Sequence, residues 1–215
     1  MLEEQAMDED DRFWDNLAEK YAAQPVGNPE AFERKIAVTK ALMEPSDVVL
    51  NIGCGTGSLA LRLASSGGQL HGLDISKEMI RIAREKTAAQ QVDNVSFHIG
   101  TLNTFDVFGP ESLDGACAYS ILHLLEDREA ALAWVFSRLK PGGFFVSSTV
   151  CLGNTWVPYA PLLAVMRWLG KAPMVNIIST DLLVEELRAA GFIDIEQPEV
   201  GAEATVAFIT AKKPS

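Results

Sequence analysis

Short runs of β-branched and aliphatic residues recur along the chain, and between them lie longer stretches whose apolar positions return every three or four residues. The first pattern is that of a strand buried on both faces, the second that of an amphipathic helix. The runs at 48–52, 69–73, 95–99, 113–118 and 144–149 predict strands, and the stretches 13–21, 31–43, 58–64, 77–89, 126–139 and 180–190 predict helices. Such alternation predicts an α/β fold on a mostly parallel sheet, built as a single domain over 1–215. Two closing runs, 193–198 and 204–211, lie close together with Gly201 between them and predict an antiparallel hairpin. The stretch 150–179 is apolar without a clean period and too long for an ordinary connection, so it reads as an irregular segment with a task of its own.

The first predicted strand runs directly into Gly53, Cys54, Gly55, Thr56 and Gly57, and a helix follows. Glycines in such a turn allow positive φ and close backbone approach to a ligand, while free amides at the start of the helix can receive polar atoms. The second strand ends at Asp74, where a carboxylate can accept two hydroxyl hydrogen bonds from a ribose. Loop and acid together describe a nucleoside site.

Read in order, NIGCGTG at 51–57, GLDIS at 72–76, LDGACAYSILHLL at 113–125, LKPGGFF at 139–145 and the AGF turn at 190–192 resemble the signature of class I, Rossmann-like S-adenosylmethionine-dependent methyltransferases. In motif style the chain is similar to the small-molecule group that includes the ubiquinone and menaquinone biosynthesis methyltransferases. The resemblance implies a three-layer sandwich around a seven-stranded sheet of order 3-2-1-4-5-7-6 with strand seven antiparallel. It also implies methyl transfer from S-adenosyl-L-methionine, leaving S-adenosyl-L-homocysteine, to a small-molecule acceptor.

Carried over by position, the resemblance implies that Gly53, Cys54, Gly55 and Gly57 shape the loop around the methionine part of the cofactor. Asp74 would hold the ribose, with Ile75 and Met79 near adenine and Ser120 close to the cofactor beside the acceptor. Asn51 stands where an acid usually helps hold the cofactor, and Thr101 follows Gly100 where an Asp often meets the adenine amine. Asn51 can still accept through its amide oxygen, and Leu102 can offer its backbone amide, so the expectation is weaker binding rather than none. Tyr119 and His123 are the catalytic candidates, His123 as a general base or as a packed side chain, Tyr119 as a polar wall or plain packing. The segment 13–21 resembles a helix that closes over cofactor, with Tyr21 touching it, so 1–44 reads as a helical lid. The stretch 150–179 reads as a cap over the acceptor or as a dimer surface.

Composition narrows the partners. The chain is 48% hydrophobic and 22% charged with a formal net charge of −11, which suits a globular fold and disfavours nucleic acid. Residues 1–12 lack the basic start and apolar core of an export signal, and no apolar run approaches the ~20 residues that cross a bilayer. Three scattered cysteines, Cys54, Cys117 and Cys151, fit a reducing cytoplasm, and His71 and His98 lack ligand spacing, so no metal is expected. Monomer and homodimer both remain open. Two other functions are compatible with a glycine loop and a strand-end acid. One is an NAD(P)-dependent oxidoreductase, although Ser58 occupies the last glycine position of its fingerprint; the other is a degenerate cofactor-binding regulator.

Overall fold

The computed structural model describes residues 2–215, with side chains from residue 11 onward. The start of the sequence read as lacking an export signal, together with most of the acidic run Asp8–Asp11, therefore lies outside the described side chains. Seven strands form one sheet: β1 (Val48–Ile52), β2 (Gln69–Asp74), β3 (Val95–Ile99), β4 (Leu113–Tyr119), β5 (Leu139–Val150), β6 (Ile193–Glu196) and β7 (Val206–Lys212). Their order is β3-β2-β1-β4-β5-β7-β6, with β7 antiparallel to both neighbours and every other pairing parallel. This is the architecture and strand order that the resemblance implies.

Helices α2 (Pro29–Ala41), α3 (Ser58–Ala64) and α4 (Lys77–Gln90) follow one another on one side of the sheet, and α5 (Arg128–Arg138) and α7 (Thr180–Ala189) cover the other. Strand alternation divides the core accordingly. Val49, Cys117, Val146 and Phe208 meet Ile36, Leu59 and Leu63 on one face, while Leu50, Ala116, Phe145 and Ile209 meet Leu132, Leu183 and Leu187 on the other. Helix starts are set by short polar side chains: Asn28 accepts from the Ala31 amide, Ser76 from Met79, Asp127 from Ala130 and Ser179 from Leu182. The parallel strands all end at the same edge of the sheet, so the loops that follow β1, β2, β3 and β4 gather there.

Several expected boundaries move. Helix α1 spans Leu2–Ala23, beginning well before residue 13. Strand β5 begins at Leu139 rather than 144: Leu139 pairs with Leu113 and Phe144 with Gly115, and residues 140–143 bulge out between them. The stretch 150–179 is not irregular throughout. It contains α6 (Tyr159–Trp168), whose residues are all at least partly exposed, which explains why no buried-face period shows in the sequence.

Gly115 lies at the middle of the sheet beneath the Phe144 ring, and a Cβ there would run into that ring. Gly115→Ala is therefore expected to lower stability by about 1–3 kcal/mol, the usual cost of overpacking a filled core. Urea unfolding checks this, with an unchanged midpoint counting against the packing argument.

Candidate functional site

The glycine loop turns sharply because Gly53, Gly55 and Gly57 adopt φ of 61°, 53° and 76°. Gly53 packs so closely on Ile121 that a Cβ would come within 2.7 Å of it. Asp74 holds the loop. Its Oδ2 accepts the Gly55 amide at 2.8 Å and its Oδ1 accepts the Ser76 amide at 2.9 Å, while the Cys54 amide donates to the Leu73 carbonyl at 3.0 Å. Asp74 is half-buried rather than standing at an exposed strand end, and burial raises its carboxyl above the ordinary value against the pull of those amides.

A cleft of about 490 Å³ opens between the loop, α2 and the ends of β4 and β5. Of the residues singled out in the sequence, Tyr21, Asn51, Gly53, Cys54, Gly55, Tyr119 and Ser120 line it. The Tyr21 ring lies above Gly55, 3.8 Å from where a Cβ would stand, and burial followed by the Asp74 carboxylate raises its phenol. Asn51 is fully buried, and its Oδ1 has no hydrogen-bond partner. A buried acceptor without a donor is costly, so this atom is suited to a donor arriving with a ligand. Ser120 sits in the left-handed region at φ 56°, an unfavourable place for a side chain and one typical of functional turns. Burial lifts the Cys54 thiol well above its ordinary value, which keeps it uncharged.

Gly57, Asp74, Ile75, Met79, Gly100, Thr101 and Leu102 do not line this cleft. Gly57 caps α3 and faces Phe97 and Ala83. Met79 is buried against Ala18 and Ile82 where α1 meets α4. Ile75 and Gly100 flank Asp74, the Gly100 amide donating to the Asp74 carbonyl at 2.9 Å. Thr101 is tied into a turn with Thr104, and Leu102 packs against the core.

Both catalytic candidates read differently in place. His123 lies in the short turn Leu122–Leu124, buried, with Nδ1 unpartnered, and desolvation pushes it down to about 4. An imidazole held this low is poorly matched to general-base work at neutral pH. The Tyr119 hydroxyl turns toward α2, 2.8 Å from Thr39 Oγ1 and 3.2 Å from the Lys35 carbonyl, and burial raises it. Sequence reasoning missed Lys35, Ser148 and Glu203, which also line the cleft. Lys35 Nζ donates to Ser148 Oγ at 2.9 Å, with burial lowering its ammonium and Glu203 opposing that shift. The available signal was Ser148 in register beside Tyr119, once β4 and β5 were taken as neighbours. His71 Nδ1 and His98 Nε2 lie 3.2 Å apart, and among the described residues no group of three or more potential metal ligands occurs. Nor is any described helix long and apolar enough to cross a membrane.

With a seven-stranded sheet of this order and a ligand-sized cleft at its glycine loop, the fold and site define a Rossmann-like nucleoside-cofactor protein. Residues 43–183 match the family model described as a methyltransferase domain, and the chain belongs to that family. It is 31% identical over 195 residues to O-methyltransferase cnsE of Penicillium expansum, covering 87% of this chain and 66% of that protein. It is 30% identical over 142 residues to a demethylmenaquinone methyltransferase of Symbiobacterium thermophilum, covering 62% of this chain and 55% of the relative. The chain thus spans about two thirds or less of the length of these curated relatives. Its fold is similar to that of Haemonchus contortus phosphoethanolamine N-methyltransferase 2, solved with S-adenosyl-L-methionine. The TM-score is 0.72 at 20% identity, covering 86% of this chain and 53% of that one.

Because His123 binds a proton more readily unfolded than folded, the stability it contributes is complete above 6.5 and is lost as pH falls toward about 4. Wild type is expected to lose about 3 kcal/mol more than His123→Gln between pH 7.5 and 4.5 in urea titrations. Equal losses would show that burial of this imidazole costs nothing.

Proposed function

We propose that the chain is an S-adenosyl-L-methionine-dependent methyltransferase acting on a small molecule, releasing S-adenosyl-L-homocysteine. The observation that carries this reading is the orphaned Oδ1 of Asn51, buried in the wall of a cleft whose rim is the glycine loop. Bound there, the cofactor supplies a methyl group already activated on a sulfonium. The protein's share is placement and exclusion of water. Asn51 Oδ1 would accept from the α-ammonium, Asp74 would receive ribose hydroxyls on its unused lone pairs, and Ile75, Met79, Gly100, Thr101 and Leu102 would bound the adenine. Gly53, Cys54, Gly55 and Gly57 keep the loop backbone close, and Ser120 edges the methionine end.

In this reading 1–44 act as a lid. Asp15 of α1 accepts from Ser76 Oγ at 2.7 Å and from the Glu78 amide at 3.1 Å, which brings Tyr21 over the cleft. The segment 150–179 serves as the cap on the acceptor side. Tyr119 closes the inner wall rather than moving a proton, and no dedicated base is required where the acceptor is already a good nucleophile. The net charge of −11 disfavours polyanionic acceptors, three buried free cysteines suit a reducing cytoplasm, and either a monomer or a homodimer is compatible with the cleft.

Calorimetric titration with S-adenosyl-L-methionine, S-adenosyl-L-homocysteine and NADH is expected to give saturable binding of the first two alone, with Asp74→Ala abolishing it. Binding of NADH instead, or unchanged affinity in Asp74→Ala, overturns the reading. Binding without turnover across a broad acceptor panel would favour a regulator. Asn51→Leu is expected to raise the thermal midpoint, since an unsatisfied buried acceptor is removed, and to weaken S-adenosyl-L-homocysteine about tenfold. A variant equally stable and equally tight would strip Asn51 of its role.

A further inference from the structure

Among the described residues, only two charged side chains line the cleft at the glycine loop, Lys35 and Glu203. Lys35 is held at both ends. Its carbonyl accepts from the Thr39 hydroxyl at 2.9 Å and the Tyr119 hydroxyl at 3.2 Å, and its Nζ donates to Ser148 Oγ at 2.9 Å. Helix α2 is tied in turn to the segment that carries Glu203: Arg34 Nε donates to the Val200 carbonyl at 2.8 Å and Asn28 Nδ2 to the Gly201 carbonyl at 3.1 Å. The ammonium has three donors, of which Ser148 takes one. No ion pair among the described residues includes Lys35, although the chain has 29 acidic residues against 18 lysines and arginines. A half-buried cation without a counter-charge is suited to an anion that arrives with a ligand.

That anion belongs to the acceptor rather than to the cofactor. Asn51 on β1 and Ser148 on β5 have β4 between them, about 10 Å across the sheet at ordinary strand spacing. The ammonium and carboxylate of an amino acid sit on a single carbon, so a cofactor held by its ammonium at Asn51 leaves Lys35 to a second molecule. Phe32, one turn before Lys35 on α2, and Val206, paired with Val150 at the end of β5, offer that molecule apolar surface. At about 490 Å³ the cleft is low in the range for small-molecule sites, so an acceptor sharing it with the methionine end of the cofactor is small and keeps its reacting atom near Lys35.

We propose that Lys35 is a catalytic residue whose ammonium holds the reacting oxygen of the acceptor as an oxyanion, and that the acceptor is a small phenol. The proposal rests on the methyltransferase reading and names its substrate class. A phenol titrates at about 10 and a close opposite charge lowers such a group by roughly 1–3 pH units, which brings its anion into the neutral range; an aliphatic alcohol lies too high for the same help. An ammonium acceptor would be repelled. The Phe32 ring gives the phenol a flat partner. On binding, the hydroxyl proton leaves to water. The oxygen lone pair then forms the O–C bond to the methyl group as the C–S bond breaks with its electrons left on sulfur, so the charges of phenolate and sulfonium cancel and Lys35 keeps its proton. Glu203, facing the ammonium from the segment before β7, favours its charged form. The Tyr119 phenol of β4, the Tyr21 phenol of α1 and the Cys54 thiol of the glycine loop are all raised by burial and stay neutral.

The test is an absorbance titration of the protein saturated with S-adenosyl-L-homocysteine, with 4-nitrophenol as the probe, whose anion alone is yellow. The midpoint of the bound probe is expected to fall by about one pH unit below its value in water. Lys35→Met is expected to erase the shift and Lys35→Arg to keep most of it. Calorimetry should find the same affinity in wild type and Lys35→Met for 4-nitroanisole, which cannot ionise, and for S-adenosyl-L-homocysteine. An unshifted midpoint, no saturable binding of the probe, or a shift that survives Lys35→Met overturns the proposal. So does a Lys35→Met variant that loses S-adenosyl-L-homocysteine, because Lys35 then serves the carboxylate of the cofactor. If S-adenosyl-L-homocysteine fails to bind wild type, the methyltransferase reading falls, and the shift measured without it still decides whether Lys35 holds an oxyanion.

Discussion

One carboxylate organises the ligand edge of this sheet. Asp74 takes the Gly55 amide on one oxygen and the Ser76 amide on the other, while its own carbonyl receives Gly100. The loops after β1, β2 and β3 are thus fastened to a single residue at the end of a central strand. Burial raises the carboxyl, and the amides offset that cost by stabilising its charged form. The glycines follow from this contact: for Gly55 to present its N–H to Asp74, the chain must turn back at φ values that side chains resist. Asp74 is consequently a structural clamp before it is a ligand-binding residue.

The strand order does the rest of the positioning. Parallel neighbours send their carboxyl ends to one edge, and the order reverses at β1 and β4, where a crevice must open because the flanking loops diverge. Asn51, Tyr119 and Ser148 lie on the same face of adjacent strands at that crevice, under α2. A dinucleotide fold would carry a third glycine where Ser58 stands, and it has no need of an antiparallel β7 between β5 and β6.

What the sequence shows plainly is whatever repeats or is forced. Buried parallel strands admit few residue types, and glycines at forced turns admit one, so the strands, their order through the motif resemblance, and the loop with Asp74 were all legible. Three things were not. Environment overrides intrinsic chemistry at His123, whose titration depends on neighbours that no local pattern names. Contacts between distant segments, such as Lys35 with Ser148, have no sequence spacing to betray them. A helix that buries none of its residues, as α6 does, needs no apolar face and leaves no period to find.

The lid role proposed for α1 turns on the kind of contact that fastens it to α4. Against α4 it buries Ala18, with Trp14 and Ala22 only partly covered, so the apolar contact with Met79 and Ile82 is small beside the core faces of the sheet. Its other hold is polar: Asp15 occupies the first turn of α4, accepting from Ser76 Oγ and the Glu78 amide where the helix dipole favours an anion, with Lys77 3.7 Å away, and Arg81 of α4 pairs with Glu19. Such a contact is directional and can be exchanged for water at modest net cost, unlike a buried apolar seam. Opening α1 about this point would uncover the cleft at the glycine loop, because Tyr21 moves with the helix. Closure would then exclude water from the cofactor at the moment it is held.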